Sequence, residues 1–256
     1  TDQKGTSPYK FSKSAFTPYA GILYDLNDNL TAYVSYTSIF NPQDYQDRDG
    51  RWLGPLEGEA YEVGIKGSFL EGRLNASAAL FQIDQDNLAQ TDVGYLIPGT
   101  VNQAYYAAKG TRSRGYDLEI SGEPLEGWNL AAGLTHWTAH DAERNAIQTN
   151  QPRTLFKLFT TYRLSGMLHG LTVGGGVNWQ SKLYAKANGP DGQERVSQGS
   201  YALVDLMARY QVNDRVSVQL NLNNILNKKY YQQVGFYSQG AWGEGRNFMA
   251  TLNYKY

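Results

Sequence analysis

The stretch FMATLNYKY, Phe248 to Tyr256, alternates strictly: Phe248, Ala250, Leu252, Tyr254 and Tyr256 fall on one face, Thr251, Asn253 and Lys255 on the other. A period of two is the pleat of a β-strand. The preceding segment repeats it, with Val216, Val218, Leu220 and Leu222 facing one way and Ser217, Gln219, Asn221 and Asn223 the other. The apolar sets tend to begin and end on aromatic rings. A sheet built this way has an oily outside and a wet inside. That is the pattern of a transmembrane antiparallel β-barrel, with lipid on the outer set and a water-filled lumen on the inner one.

Working outward, alternation and turn residues predict about eleven strands, near residues 15–26, 30–40, 60–69, 73–83, 111–121, 128–137, 154–164, 171–180, 201–210, 215–226 and 246–256. Their connections alternate in length. Short ones lie near residues 27–29, 70–72, 123–127, 165–170 and 213–214, and long, polar, aromatic-rich ones near 41–59, 84–110, 138–153, 181–200 and 227–245. Outer-membrane barrels have short periplasmic turns and long extracellular loops, which places the C-terminus in the periplasm. Outward-parity rings then sort into two girdles. Tyr24, Trp128, Tyr162, Tyr210, Tyr254 and Tyr256 lie near the short turns, and Tyr36, Tyr61, Phe156, Trp179 and Phe248 nearer the long loops. Glu62, Lys66, Asp117, Glu119, Lys157, Arg163, Asp205 and Arg209 all take lumen parity, as expected where Lys or Arg on the lipid face costs roughly 2–4 kcal/mol at the midplane.

Composition agrees. Across 256 residues there are 20 Tyr and 27 Gly, and mean hydropathy is −0.53. No run approaches the roughly 18 apolar residues of a spanning helix, so a membrane protein of this sequence must cross with strands. A net charge of −1 argues against a nucleic-acid partner. With no cysteine, disulfides and thiolate metal sites are excluded. The chain opens on Thr1-Asp2-Gln3-Lys4-Gly5 without a basic and apolar signal segment. First and last strands both descend, so the strand count is odd, and an open sheet edge is not viable in hydrocarbon. The expectation is one part of a larger barrel, about half.

Several blocks carry a family resemblance: FTPYAGILYDLNDNLTAYVSYTSIFNPQ (Phe16 to Gln43), EAYEVGIKGSFLEGRLNASAALFQIDQDN (Glu59 to Asn87), RSRGYDLEISG (Arg112 to Gly122), YALVDLMARYQVND (Tyr201 to Asp214) and NLNNILNKKYYQQVGFYSQGAWGEGRNF (Asn221 to Phe248). They resemble the C-terminal barrel half of TonB-dependent ferric-siderophore receptors, most closely the ferripyoverdine and ferric-coprogen type. The resemblance covers nearly the whole chain. It implies a 22-stranded barrel around an N-terminal plug, preceded by a TonB-contacting segment. Residues 1–256 match neither of those two parts, so they are expected to form barrel wall alone. It further implies an outer-membrane location, a ferric siderophore as ligand, iron held by the siderophore rather than by a protein cofactor, and energy delivered by the TonB complex. The rival readings are a substrate-specific diffusion porin and an outer-membrane hydrolase.

Candidate chemistry is sparse. His136, His140 and Asp141 cluster near one strand top, but His136 has lipid parity and no nucleophile turn accompanies it, so loop polarity is the expected role. Asp44, Asp47 and Asp49 before Gly50 miss calcium-loop spacing, with Tyr45 where a carboxylate is needed. Arg112 and Arg114 have outward parity at the upper rim, suited to lipopolysaccharide or other lipid phosphates unless a bulge turns them inward. The loops carry Tyr45, Trp52, Tyr95, Tyr105, Tyr106, Tyr184, Tyr230, Tyr231, Tyr237 and Trp242. Exposed rings at a barrel mouth either stack on a ligand or staple one loop to the next. The ligand candidates are Tyr237, Trp242, Tyr231, Trp52 and Tyr106. The resemblance places Tyr237 at a siderophore-contacting position in the last loop. It also marks Trp242 as a departure from the small or tyrosyl residue more usual there.

Overall fold

The structure, a computed structural model, describes residues 15–189, 192–236 and 239–256. Eleven strands form one antiparallel sheet in sequence order: β1 (Tyr19–Asn27), β2 (Leu30–Asn41), β3 (Leu56–Phe69), β4 (Leu74–Asp86), β7 (Thr111–Leu125), β8 (Trp128–His140), β9 (Thr154–Arg163), β10 (Leu171–Gln180), β13 (Tyr201–Gln211), β14 (Val216–Asn223) and β17 (Asn247–Tyr254). Six further strands pair as hairpins inside the long loops: β5 (Leu88–Leu96) with β6 (Gln103–Ala108), β11 (Leu183–Gly189) with β12 (Gly192–Gln198), and β15 (Tyr231–Phe236) with β16 (Gln239–Trp242).

Register partners share a face, so the pairing tests the inside and outside assigned by alternation. One row crosses eight strands through Ala32, Ile65, Ala78, Leu118, Leu134, Phe156, Trp179 and Ala202. The neighbouring row on the opposite face runs Thr31, Lys66, Ser77, Glu119, Gly133, Lys157, Asn178 and Leu203. Apolar side chains on the first face lie open, Leu80 at 61% and Leu252 at 71% exposure, which is what a lipid-facing surface looks like without its lipid. Among the described residues the hydrophobic core cluster, Leu183, Ala185 and Val234, lies in the loop hairpins and not under the sheet. The sheet is a partial barrel wall, open at β1 and β17.

Turns explain where strands stop. Between β3 and β4, Leu70, Glu71 and Gly72 all take positive φ (54°, 58° and 85°), a tight reversal. At Gly122 (φ +145°) the β7–β8 register shifts, and a Cβ there would lie 2.0 Å from the Arg73 carbonyl oxygen. Only glycine lets the two backbones approach that closely.

The structure corrects the expected boundaries. Strands β3, β4 and β8 run farther toward the long loops, because ladder bonds continue above the aromatic row, whereas β7 runs farther toward the short turn, where Leu125 still pairs with Trp128 beyond the register shift. Strand β14 ends at Asn223 instead of near residue 226, because Asn224 turns left-handed (φ +48°) and hooks the next segment. Three of the long connections contain hairpins that alternation did not pick out, and these pair their own backbone polar groups.

Candidate ligand-binding site

Five long loops gather at one end of the sheet, at residues 42–55, 87–110, 141–153, 181–200 and 224–246. The first two lock together. Arg48 donates two hydrogen bonds of 2.7 Å to Asp92 and lies 3.5 Å over the Tyr95 ring. The Tyr105 amide donates to the Gln46 carbonyl (2.8 Å), and the Tyr45 and Tyr105 rings meet at 4.4 Å. Pairing with Asp92 comes first among the causes that raise the Arg48 pKa, so the cation is held firmly. The fourth and fifth loops form a second body around Leu183, Ala185 and Val234, with Val196 and Tyr231 packed on it. The third loop joins both sides: the Tyr184 amide donates to the Thr149 carbonyl (2.8 Å), and the Gln148 amide approaches the Gln90 side-chain oxygen (3.5 Å).

Between the two bodies lies a cavity of about 620 Å³. Tyr45 and Tyr105 supply rings, Gln46, Asn102, Gln103 and Gln233 supply amides, and Asp44 and Lys186 supply one charge of each sign. A second cavity of about 490 Å³ shares Asn150, Gln233 and Val234 with it and reaches down to Gln180 at the top of β10. Rings beside many neutral donors and acceptors suit a polar ligand of several hundred Å³ with aromatic or amide planes.

The base of the last loop is tied by one residue. Asn224, 4% exposed, accepts the Lys228 amide (2.8 Å) and donates to the carbonyls of Lys228 (3.0 Å) and Glu244 (3.1 Å). Its own amide donates to Asp205 on the lumen face of β13 (2.8 Å). Both legs of the loop are thereby fixed to the wall.

The ring candidates distribute unevenly. Tyr231 and Trp242 stack on each other at 4.2 Å across the β15–β16 hairpin, with Trp242 63% exposed. Trp52 forms a β-bridge with Gln46 that closes the first loop. Tyr106 sits on β6 opposite Gln90, and burial, followed by the charges of Asp141, Asp92 and Glu143, pushes its phenol pKa up. None of these four lines the large cavity. Tyr237 lies outside the described residues. The two rings that do line it, Tyr45 and Tyr105, belong to the wider aromatic set, and only the pairing of the first two loops singles them out.

The remaining motifs take structural positions. His136 bonds Thr154 through Nδ1 (2.8 Å) and packs on Tyr116. Burial would raise the Asp141 pKa, but hydrogen bonds from Asn145 and Glu143 outweigh it and hold the carboxyl below its ordinary value. Asp47 accepts the amides of Asp49 (2.9 Å) and Arg51 (2.8 Å) in a turn. No bulge interrupts the β4–β7 register, so Arg112 and Arg114 face outward, bonded to Asp84 (2.5 Å) and Gln82 (2.8 Å).

Residues 1–225 match the profile of the TonB dependent receptor-like β-barrel. The chain belongs to this family. Among curated relatives of this TonB-dependent receptor barrel, the ferripyoverdine receptor of Pseudomonas aeruginosa strain PAO1 is 43% identical over 258 residues, covering 98% of this chain and 32% of the relative. The ferric-pyoverdine BN7/BN8 receptor of Pseudomonas putida is 46% identical over 245 residues, covering 94% of this chain and 28% of the relative. The chain thus spans about a third of the length of these relatives. Among solved structures, the ferripyoverdine receptor of the P. aeruginosa outer membrane bound to ferripyoverdine superposes with a TM-score of 0.83 at 43% identity, over 95% of this chain and 33% of that one. The alcaligin outer-membrane receptor of Bordetella pertussis is 47% identical at a TM-score of 0.66, over 94% of this chain and 37% of that one. These relatives are receptors, and the solved ones are outer-membrane proteins.

Proposed function

We propose that this barrel segment serves a receptor that binds a ferric siderophore among its extracellular loops and passes it across the bacterial outer membrane with energy from the TonB complex. The observation that carries the reading is the five-loop cavity of about 620 Å³, lined by rings and amides, on a wall that is 43% identical to a ferripyoverdine receptor. On this reading the iron arrives inside the siderophore, so the protein supplies stacking and hydrogen bonds and needs no resident cofactor. The eleven-stranded wall is the C-terminal half of a 22-stranded barrel with its C-terminus in the periplasm. TonB engages an N-terminal part that precedes this barrel region in the whole receptor. Arg112 and Arg114, outward at the upper rim, lie at the level of lipopolysaccharide phosphates. Tyr45 and Tyr105 are the ring contacts of the cavity, and Tyr237, Trp242, Tyr231, Trp52 and Tyr106 are the further candidate ligand contacts that the sequence offers.

The test is uptake of radioiron-labelled ferripyoverdine by cells carrying or lacking the full-length gene, each with and without TonB. Accumulation that needs both is expected. TonB-independent accumulation, with steady ion conductance of the reconstituted protein, would identify a diffusion porin instead.

A further inference from the structure

Two buried side-chain donors among the described residues have no hydrogen-bond acceptor, Arg153 Nη1 and Gln180 Nε2, and they fall in one corner. Gln180 is the last residue of β10 and pairs with Leu155 of β9, two residues beyond Arg153. Ser181 Oγ accepts the backbone amides of Arg153 (2.9 Å) and Thr154 (3.0 Å), which makes Arg153 and Gln180 diagonal neighbours at the tops of adjacent strands. Both face the lumen: Gln180 lies two residues above Asn178, and the Arg153 guanidinium lies 4.2 Å over the lumen-side ring of Trp137. That guanidinium donates through Nη2 to the Ile147 carbonyl, and among the described residues no carboxylate pairs with it.

An unpaired buried donor is costly, and an unpaired buried cation more so. Burial pulls the Arg153 pKa down, against a lesser opposing electrostatic influence of Tyr184. Arginine nonetheless stays charged in proteins, so this corner keeps a positive charge in want of an oxygen. Gln180 is itself part of the wall of the cavity of about 490 Å³ that joins the large loop cavity. Asn150, Gln151 and Pro152, which lead into Arg153, line the same cavity, so the corner borders it from both strands.

We infer that Arg153 and Gln180 form an anion-accepting subsite at the floor of the loop cavity, which takes a carboxylate or hydroxamate-type oxygen of the incoming ferric chelate. The inference rests on the receptor reading above and adds the ligand chemistry it selects. Such oxygens pair well with arginine, and an acceptor shared between guanidinium and amide satisfies both orphan donors at once. The same chemistry could come from an acidic side chain of the rest of the receptor, and stability separates the two sources.

The test uses the full-length receptor, with ferripyoverdine titrated by quenching of intrinsic fluorescence and the melting temperature of the ligand-free protein measured alongside. Arg153→Met is expected to weaken ferripyoverdine binding at least about tenfold and to flatten its salt dependence, while the ligand-free melting temperature stays level or rises. Gln180→Glu, which places a carboxylate beside the guanidinium, is expected to raise that melting temperature and to weaken binding likewise. It also serves where Arg153→Met folds poorly. Undiminished affinity in both variants overturns the subsite. A lower melting temperature for Arg153→Met with unchanged affinity also overturns it, by assigning the acceptor to the receptor itself. Absence of ferripyoverdine binding by the wild type is a different failure, that of the receptor reading.

Discussion

Replacing Asn224 by alanine tests the tie between the last loop and the barrel wall. The substitution deletes one acceptor and two donors, leaving the Lys228 amide and the carbonyls of Lys228 and Glu244 without partners. It also leaves a residue at φ +48° that alanine adopts less readily than asparagine. Each buried polar group left unsatisfied costs about 1–3 kcal/mol, and water reaching the loop legs recovers part of that. The left-handed backbone adds roughly 1 kcal/mol, so the local cost is about 3 kcal/mol, near a 150-fold shift in the opening equilibrium. Native-state hydrogen exchange in the full-length receptor reads it directly. The amides of Lys228, Asn227 and Gly243 are expected to lose protection by roughly that factor, while those of β9 and β10 keep theirs. Asn224→Asp keeps the acceptor and loses both donors, and is expected to fall between. Less than about a threefold change at Lys228 would refute the reasoning, because the loop would then be held by its hairpin alone.

Other substitutions probe the wall and the loops. Leu118→Arg, on the lipid face between Ala78 and Leu134, is expected to cost roughly 2–4 kcal/mol in a vesicle folding titration, and Asp117→Ala on the lumen face far less. Equal losses would contradict the assigned faces. Gly122→Ala forces a Cβ into the Arg73 carbonyl and is expected to destabilise by about 1–3 kcal/mol on the same titration, whereas Gly72→Ala meets no atom within 4 Å and costs only its backbone conformation. The Asp141 pKa is lowered in the folded loop, so its contribution is fully present above the ordinary carboxylate pKa and is lost as pH falls through the depressed folded value. Exchange protection of the Glu143 and Asn145 amides is therefore expected to survive down to the ordinary carboxylate range and to fade only beneath it. Loss already at neutral pH would exclude the carboxylate as their acceptor.

The sheet was legible because each of its strands separates lipid from water, and that separation writes a period of two over enough residues to be read. Rows such as Ala32 to Ala202 and Thr31 to Leu203 then follow from alternation plus antiparallel order. The loop hairpins lack that constraint. Strands β5 and β6 face neither lipid nor a continuous lumen, and their apolar and polar residues mix accordingly. The site was legible only as a composition, many rings in long loops. Which rings reach the cavity depends on contacts such as Arg48 to Asp92, 44 positions apart, and no local pattern announces that pairing. Arg153 gave no signal at all, since a lone arginine before a strand reads as a solvated charge until Trp137 and Gln180 are placed beside it.

The central claim is that the cavity between the two loop bodies is where a ferric siderophore binds. Equilibrium binding of ferripyoverdine to the full-length receptor bearing Tyr45→Ala and Tyr105→Ala together tests it most directly, against the stacked pair Tyr231→Ala and Trp242→Ala as comparison. Loss of two ring contacts at a binding hot spot is expected to weaken affinity by roughly a hundredfold or more, with the outward face and folded yield unchanged. Wild-type affinity in the Tyr45 and Tyr105 double variant would contradict the claim and move the site elsewhere on the receptor.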